Sequence, residues 1–360
     1  MDSKRTMAEA RVNKKDEFYT KLSTIEKEVK HYKDHFKDKV VYLNCDDPLE
    51  SNFVNYFLQN FEELGLKKLL ASCYREQNYN LFNMDENIES ATWLEYSGEM
   101  ADKENLSAKD VGVKELRGDG DFRGQESIDL LQEADIVVTN PPFSLFKEYI
   151  QQLVEYEKDF LILGNNNAIT YKDFFSLIRE NKVWAGHSFN KTVEFKIPDN
   201  YTEWNRINEL GEKFAKVPAI SWWTNIKSSS SKIKDIKLKE DYKISDYPSY
   251  SNYEAIDVNK ITNMPNYDGV MGVPITFIGR YNPEQFEILG LGAGEIFKEL
   301  NGTILGQEFL DAYLENGGKG NYVANQYVLG YYNDKDEPVI PYMRILIKKI
   351  TKKKGEDKNE

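Results

Sequence analysis

Four consecutive residues, Asn140, Pro141, Pro142 and Phe143, have the chemistry needed to activate an amino group. An aromatic amino group is a poor nucleophile because its lone pair is delocalised into the ring. The amide oxygen of Asn140 and the main-chain carbonyl of Pro141 can each accept one amino hydrogen, which favours a pyramidal nitrogen aimed at an electrophilic methyl. The two prolines hold that carbonyl rigidly, and Phe143 offers a flat face for stacking a base outside its duplex.

The element that positions these residues is a short apolar run, residues 136–138, which reads I-V-V. A β-branched run without polar alternation is typical of a central strand that is buried on both faces of a sheet, and the prolines end it. Ligands of open α/β sheets bind at the carboxyl ends of the strands. The four residues resemble the Asp/Asn-Pro-Pro-aromatic motif of amino-group methyltransferases that use S-adenosylmethionine. An Asn-Pro turn is the structural alternative, but the preceding strand and the following amphipathic segment favour the functional interpretation.

The composition predicts a globular enzyme of two domains. The chain has 360 residues, with 40% hydrophobic and 13% aromatic residues, which excludes a disordered chain. The two cysteines, Cys45 and Cys73, exclude a disulfide framework and an all-cysteine zinc site. With only three histidines, no metal is expected, and the absence of any membrane-length apolar run or signal region predicts a cytoplasmic protein without a membrane partner.

The net charge of −13 argues mildly against nucleic acid as a partner, because phosphate binding needs a cationic surface. A local basic face can nevertheless exist on an acidic protein. The residues predicted to contact DNA are Lys232, Lys234, Lys237, Lys239 and Arg280. A solvated, solubilising surface is the alternative interpretation of this basic stretch.

Alternating strand and helix patterns predict an α/β fold, with a mostly parallel sheet and helices on both faces. The predicted strands include residues 40–43, 69–74, 136–138, 160–163, 192–197 and 219–225. A serine-rich stretch then suggests a linker, followed by a smaller α+β region. We therefore predict a catalytic domain at residues 1–228 with frayed residues 1–15, a second domain at 229–350 and a disordered tail at 351–360.

The cofactor site is expected where carboxylates follow the predicted strands. Asp46 or Asp47 can bind the methionyl end of the cofactor, and Asp121 with Phe122 can receive its adenine. Asp47 followed by Pro48 is also a good start for a helix, and Asp121 is also a common turn residue. A G-x-G-x-G pattern does not follow the first strand but occurs at residues 290–294, where a flexible hairpin or loop is the favoured interpretation.

Four stretches resemble the EcoRI-type adenine-specific DNA methyltransferases: N-C-D-D-P-L-E-S-N-F (44–53), G-D-G-D-F-R (118–123), D-I-V-V-T-N-P-P-F-S-L-F (135–146) and G-V-P-I-T-F-I-G-R-Y-N-P-E-Q-F-E-I-L-G (272–290). The resemblance implies a Rossmann-like class I methyltransferase with a DNA target-recognition domain, methylating N6 of a flipped adenine in double-stranded DNA. It implies that residues 140–143 form the catalytic loop and that a restriction enzyme can accompany the protein. The residues implied to hold S-adenosylmethionine are Asn44, Cys45, Asp46, Asp47, Asp121, Phe122 and Asn140, with Glu76 as a guess for the ribose.

Two alternatives stay open at this point. The same four residues can methylate an RNA base or a glutamine side-chain amide, since both present a delocalised nitrogen. The fold can also persist as a catalytically inactive nucleic-acid-binding module, although the intact Asn-Pro-Pro-Phe sequence argues against this.

Overall fold

A computed structural model describes residues 19–75, 91–197, 204–217, 219–227, 234–318 and 326–351. The chain divides into two compact units. The first comprises Met1–Phe174 with Val183–Ser230, and the second comprises Phe175–Lys182 with Ser231–Glu360. The predicted frayed residues 1–15, most of the predicted linker and all but the first residue of the predicted tail lie outside the described residues.

The first unit contains most of the regular structure. Its strands are β1 (Tyr19–Thr20), β2 (Val40–Asn44), β3 (Lys68–Ser72), β4 (Thr92–Tyr96), β5 (Lys114–Glu115), β6 (Ile136–Thr139), β7 (Asp159–Asn165), β8 (Trp184–Ala185), β9 (Val193–Lys196), β10 (Arg206–Ile207), β11 (Lys213–Val217) and β12 (Ile220–Thr224). Its helices are α1 (Leu22–Val29), α2 (Lys33–Phe36), α3 (Asn52–Gln59), α4 (Phe61–Leu64), α5 (Ala108–Val111), α6 (Gln125–Glu133) and α7 (Phe146–Glu155). Helix α8 (Lys172–Arg179) contains the boundary between the units.

A large central sheet of eight strands, in the order β5-β4-β3-β2-β6-β7-β12-β8, organises this unit. The expectation of a mostly parallel sheet is correct only for the four central strands β3, β2, β6 and β7; the flanking pairs are antiparallel. Parallel neighbours need a crossover connection. Helices α3 and α4 supply it between β2 and β3, and α7 supplies it between β6 and β7.

Helices cover both faces of this sheet, as the adjacent tryptophans of β12 illustrate. Trp222 packs against Phe53 of α3, with the ring centres 5.9 Å apart. Trp223 points to the opposite face and packs against Phe174 of α8 at 5.0 Å. Both tryptophans are fully buried, as are the residues of β2 on either side of the strand. The apolar runs of the central strands are therefore explained by burial on two faces.

A second, smaller sheet in the same unit has the order β1-β9-β11-β10 and is antiparallel throughout. The strand predicted at residues 192–197 is found here, as β9, and not in the central sheet. Its inward residues Val193 and Phe195 join the main core together with Ala215 of β11. Side chains alternate between the two faces of a strand, so the intervening residues form an outer face.

The second unit is built on the four-stranded sheet β13-β14-β18-β15 and a short hairpin of β16 with β17. Its strands are β13 (Ile256–Asp257), β14 (Val270–Pro274), β15 (Phe286–Leu291), β16 (Tyr331–Tyr332), β17 (Pro338–Val339) and β18 (Arg344–Lys349), and its further helices are α9 (Gly294–Glu299) and α10 (Gln307–Glu315). The glycine-rich pattern, predicted as a hairpin or loop, spans the short connection from β15 to α9, so it is not a hairpin. A side chain at Gly290 would collide with Leu300 and Ile296, so close packing explains this glycine.

No described helix combines the length and the apolar composition that crossing a bilayer requires.

Candidate active site

The loops that follow the neighbouring parallel strands β3, β2 and β6 lie side by side at the carboxyl ends of these strands. Asn44, the last residue of β2, pairs with Ser72, the last residue of β3, and β6 lies on the other side of β2. The 44–47 loop and the 140–143 loop therefore emerge at the same edge of the sheet. Ligands of α/β proteins bind at this edge.

Asp46 joins these loops through hydrogen bonds. Its backbone N–H donates to the carbonyl of Ser72 at 3.0 Å, and its carboxyl group is buried. The Ser51 hydroxyl donates to Oδ1 at 2.6 Å, and Thr139 Oγ1 lies 2.5 Å from Oδ2. The backbone N–H of Asn140 also donates to the Asp46 carboxyl group. One buried side chain thus holds the first residue of the 140–143 loop.

Asp46 is placed to hold a proton. Burial raises the pKa of its carboxyl group to about 7, although the bonds from Ser51, Thr139 and Asn140 oppose the shift. Thr139 has one hydroxyl proton, yet its oxygen contacts both Asp46 Oδ2 and the main-chain oxygen of Asn44, which can only accept. When Thr139 donates to Asn44, a proton on Asp46 completes the second contact. The neutral acid therefore satisfies this network.

The 140–143 loop is held at both of its ends. At its start, Thr139 is fully buried at the end of β6 and bonds to the main chain of Asn44. At its other end, Phe143 opens a short 3-10 turn in which the N–H of Leu145 donates to the carbonyl of Pro142 at 3.0 Å. The half-buried ring of Phe143 packs against the main core. The loop is thus preorganised by contacts on both sides.

Asn44 supplies a buried donor at the same edge. The residue is 1% exposed, and its Nδ2 has no acceptor among the described residues. Its Oδ1 accepts a weak bond from Cys45 Sγ at 3.7 Å. Burial raises the pKa of the Cys45 thiol well above its ordinary value, and the nearby charges of Asp46 and Asp121 add to the effect. A neutral thiol and an unsatisfied amide N–H suit an anionic or polar ligand group.

Asp47 does not cap a helix, contrary to the prediction of a helix beginning at Pro48. Helix α3 begins at Asn52, and Ser51 is its N-cap, accepting from the N–H of Phe53 at 3.0 Å. Asp47 instead closes a turn and accepts from the N–H of Leu49 at 2.9 Å. Its other carboxylate oxygen pairs with Arg75, which follows β3. At this position Asp47 and Pro48 form a turn, although the same two residues are also common at the start of a helix.

The 118–122 segment reaches the same edge through a close backbone approach. Gly120 has a φ of +75°, and a Cβ there would lie 2.0 Å from the carbonyl oxygen of Cys73, so only glycine fits. The guanidinium of Arg123 pairs with Asp121 at 2.7 Å and lowers the pKa of that carboxyl group. The ring of Phe122 is 4% exposed and meets Tyr149 edge-on at 5.1 Å, so most of its surface is core.

The predicted DNA-contacting residues belong to the second unit. Lys234, Lys237, Lys239 and Arg280 are exposed there, whereas Lys232 and the ribose candidate Glu76 lie outside the described residues. Within the described ranges, no group of three or more histidine, cysteine or acidic side chains is placed to hold a metal ion.

Sequence reasoning missed Ser51 and Thr139, the two hydroxyl residues that hold Asp46. A signal for Thr139 was present, since it is a polar residue at the end of an otherwise apolar strand, immediately before Asn140. Ser51 had only the signal of an N-cap residue, obscured by the stronger helix-start pattern at Asp47 and Pro48.

Comparison with known proteins defines the class. The chain matches the family described as "Adenine-specific methyltransferase EcoRI" over residues 6–350. It is 48% identical over 299 residues to the Type II methyltransferase M.EcoRI of Escherichia coli, which covers 81% of this chain and 90% of that protein. It is 37% identical over 287 residues to M.MgeORF184P of Mycoplasma genitalium (78% and 84%) and 37% identical over 290 residues to M.MpnI of Mycoplasma pneumoniae (78% and 83%), both Type II methyltransferases. No solved structure is significantly similar to the chain.

The large central sheet and these relatives together define an adenine-specific DNA methyltransferase. The chain belongs to the EcoRI family of adenine-specific methyltransferases, and the resemblance in its four sequence stretches is confirmed. An RNA or glutamine methyltransferase and an inactive binding module receive no support from the relatives.

Proposed function

We propose that this methyltransferase transfers the methyl group of S-adenosylmethionine to the N6 amino group of an adenine turned out of its duplex, at the 140–143 loop. The observation that carries the proposal is the hydrogen bond from the backbone N–H of Asn140 to the buried Asp46. This bond ties the amino-activating loop to the 44–47 loop, whose residues would hold the amino acid end of the cofactor.

The residues at the edge fit S-adenosylmethionine, which supplies an electrophilic methyl group when bound. The buried Nδ2 of Asn44 is a donor for the carboxylate of its amino acid end. Asp47, half-buried in the same loop, would accept from its ammonium group in exchange for its contact with Arg75. Asp121 receives the adenine amino group by exchanging its contact with Arg123, and Phe122 lines the wall of the adenine slot.

Asn140 and Pro141 act on the target amino group. Each presents an oxygen that accepts one amino hydrogen, so the nitrogen lone pair is withdrawn from the ring and directed at the methyl group. Asp46 keeps Asn140 in place. When its carboxyl group is protonated, it adds no negative charge to the sheet edge that holds the 140–143 loop. Phe143 supplies an apolar face for the adenine, whose extrusion from the duplex costs a few kcal/mol of stacking and pairing.

We further propose that the first unit is a Rossmann-like class I methyltransferase domain and that the second unit recognises the DNA target. The four central parallel strands with helical crossovers support the first assignment. The exposed cations Lys234, Lys237, Lys239 and Arg280 support the second. A partner restriction enzyme stays a prediction.

The test is methyl transfer by Asn140→Ala. With tritiated S-adenosylmethionine and unmethylated genomic DNA, which contains every short recognition sequence, we expect a loss of at least about 10²-fold in kcat, as for removal of one preorganised catalytic group. Cofactor binding, measured by calorimetry, is expected to persist. Asn167→Ala is the matched control, because this exposed asparagine follows the neighbouring strand β7. Equal turnover by Asn140→Ala and the control would refute the role of the loop.

A further inference from the structure

The outer face of the small sheet is basic, although the chain carries a net charge of −13. The pairing register aligns Arg206 with Phe214 and Phe214 with Lys196, and it aligns Lys216 with Glu194. These residues alternate with the inward-facing residues of the core, so they share the opposite face. We call the cations Lys21, Lys196, Arg206 and Lys216 the cationic face.

The cations of this face are held in place by an aromatic ring and two carboxylates. Lys21 Nζ lies 4.3 Å from the centre of the Phe214 ring, and the Arg206 guanidinium lies 4.4 Å from it. Glu194 pairs with both of these cations, and Glu212 pairs with Lys196 at 2.6 Å. Four cations against two carboxylates leave the described part of this face positive.

Lys216 is the cation of this face that is most available to a ligand. It is exposed and forms no ion pair within the described ranges. Lys21 and Arg206 meet over the same ring, and the pKa of Lys21 is lowered by burial and further by the positive charges of Arg206 and Lys216. Repulsion between these cations is relieved by an anion bound across the face.

Strand β11, which carries Lys216, ends at the same edge of the first unit as the 140–143 loop. Strand β11 ends at Val217, and β12 then begins at Ile220, which pairs with Asn165 at the carboxyl end of β7. Val217 and Phe143 pack against the same core. The small sheet therefore stands beside the edge at which the target adenine is methylated.

Strand β1 is attached to this edge as well. The side chain of Asn52, the first residue of α3, donates to the carbonyl of Thr20 at 2.8 Å. Asn52 directly follows Ser51, which bonds to Asp46. Strands β1 and β11 of the small sheet are thus both connected to this edge.

We propose that the cationic face binds the phosphate backbone of the duplex beside the target adenine. The proposal rests on the proposed function, since it takes DNA as the substrate, and it adds a contact surface within the first unit. A B-form duplex presents one negative charge per about 1.7 Å of its axis, so a fixed row of cations at the methylating edge matches its charge. The contact is to phosphates and carries no sequence information.

An apolar residue extends this surface. Leu210, at the turn between β10 and β11, is 84% exposed, more than any other large apolar side chain in the described part of the chain. It lies at the end of β11 opposite Val217, where it would contact sugars of the bound backbone as the duplex continues away from the target adenine. An apolar contact of this kind adds affinity without releasing counterions, so it is separable from the ionic contacts by salt dependence.

The experiment measures binding of a fluorescein-labelled duplex of mixed sequence by anisotropy over a range of salt concentrations. For Lys216→Gln, we expect weaker binding and a slope of log affinity against log salt that is shallower by about 0.9, and by about twice that for Lys216→Gln with Arg206→Gln. Leu210→Ser is expected to weaken binding with the slope unchanged. Lys67→Gln is the matched control, because this exposed cation precedes β3 at the opposite edge of the central sheet.

The outcomes separate this proposal from the proposed function. Normal thermal unfolding and normal S-adenosylmethionine binding by the variants show that the fold is intact, and Lys216→Gln breaks no described ion pair. If Lys216→Gln and the double variant keep the wild-type slope, the cationic face is not a phosphate site, while methylation by the 140–143 loop still stands. If the wild type binds no duplex, both proposals fail.

Discussion

Asp46 in the first unit and Asp257 in the second are two buried carboxyl groups that are held in opposite ways. Asp257, in β13, is 2% exposed and faces a cation: Arg344 Nε lies 2.8 Å from Oδ1, and the Tyr250 hydroxyl donates to the same oxygen at 2.6 Å. Asp46, after β2, is 7% exposed and is surrounded by hydroxyl groups and backbone N–H groups. No cation of the described residues pairs with Asp46.

The difference separates a structural carboxylate from a titratable one. The Arg344 guanidinium offsets part of the desolvation cost of the Asp257 carboxylate. A buried carboxyl group with only neutral donors keeps its proton to a higher pH, and the pKa of Asp46 is accordingly raised to about 7 by burial. We infer that Asp257 holds the second unit together, whereas Asp46 serves the reacting edge of the first.

The largest effect is expected from breaking the pair in the second unit. Asp257→Ala leaves Arg344 buried at 11% side-chain exposure without its counter-ion. Removing one partner of a buried ion pair costs about 3–5 kcal/mol of unfolding free energy. Urea unfolding followed by far-UV circular dichroism measures this loss of unfolding free energy. Asp268→Ala is the control, because the Lys349 contact of that aspartate is at the surface. A loss below about 1 kcal/mol would contradict the structural role of Asp257.

A large kinetic effect is expected from one substitution of Asp46 and a small one from the other. Asp46→Ala removes the acceptor for the N–H of Asn140, and misplacement of a catalytic group by about 1 Å costs roughly 10²-fold in kcat. Asp46→Asn keeps an oxygen that can accept a hydrogen bond from Ser51 and offers an N–H to Thr139, as the neutral acid offers its proton. Methyl transfer at saturating cofactor and DNA compares them. Two equally impaired variants would show that the negative charge of Asp46 is required.

The pH dependence of stability tests whether Asp46 is protonated in the folded protein. The pKa of Asp46 is raised from 3.8 to about 7 in the folded protein. Well below pH 3.8 the folded and unfolded states both bind the proton, whereas between pH 3.8 and 7 mainly the folded state binds it. The free energy of unfolding therefore falls as the pH rises through this range. Asp46→Asn cannot lose a proton. We therefore expect the melting temperature of Asp46→Asn, relative to wild type, to increase from pH 4 to pH 7 and then level off. A constant difference over this range would contradict the assignment.

The smallest effects are expected from the single hydroxyl donors. Tyr250→Phe removes the bond to Asp257, and Ser51→Ala removes both the bond to Asp46 and the cap of α3. We expect losses of about 1–2 kcal/mol of unfolding free energy in each case. The hydroxyl of Tyr250 acts only on stability, so Tyr250→Phe should leave kcat unchanged, while Ser51→Ala should lower it. Equal changes in kcat for Tyr250→Phe and Ser51→Ala would contradict the different roles of Asp257 and Asp46.

Much of the first unit follows from local sequence. The β-branched run before Asn140 becomes the buried strand β6, and the prolines end it where expected. The alternating strand and helix patterns become β2, α3, β3 and α7. The predictions that failed concern connections: the helix predicted from Pro48 begins at Asn52, and the strand predicted at 192–197 joins a separate sheet. Local patterns give the type of an element, whereas pairing partners depend on residues far along the chain.

The sequence by itself determined the family, the 140–143 loop and the buried strand that carries it, because proline geometry and apolar runs act on adjacent residues. Only the tertiary structure decided that Asp46 bonds to Thr139, 93 residues away, and that burial raises the pKa of its carboxyl group to about 7. It also decided that Lys21, which follows β1, shares one face with the cations of β9, β10 and β11. The burial of a side chain and the charges around it depend on which distant segments pack together. A local sequence pattern does not specify those partners.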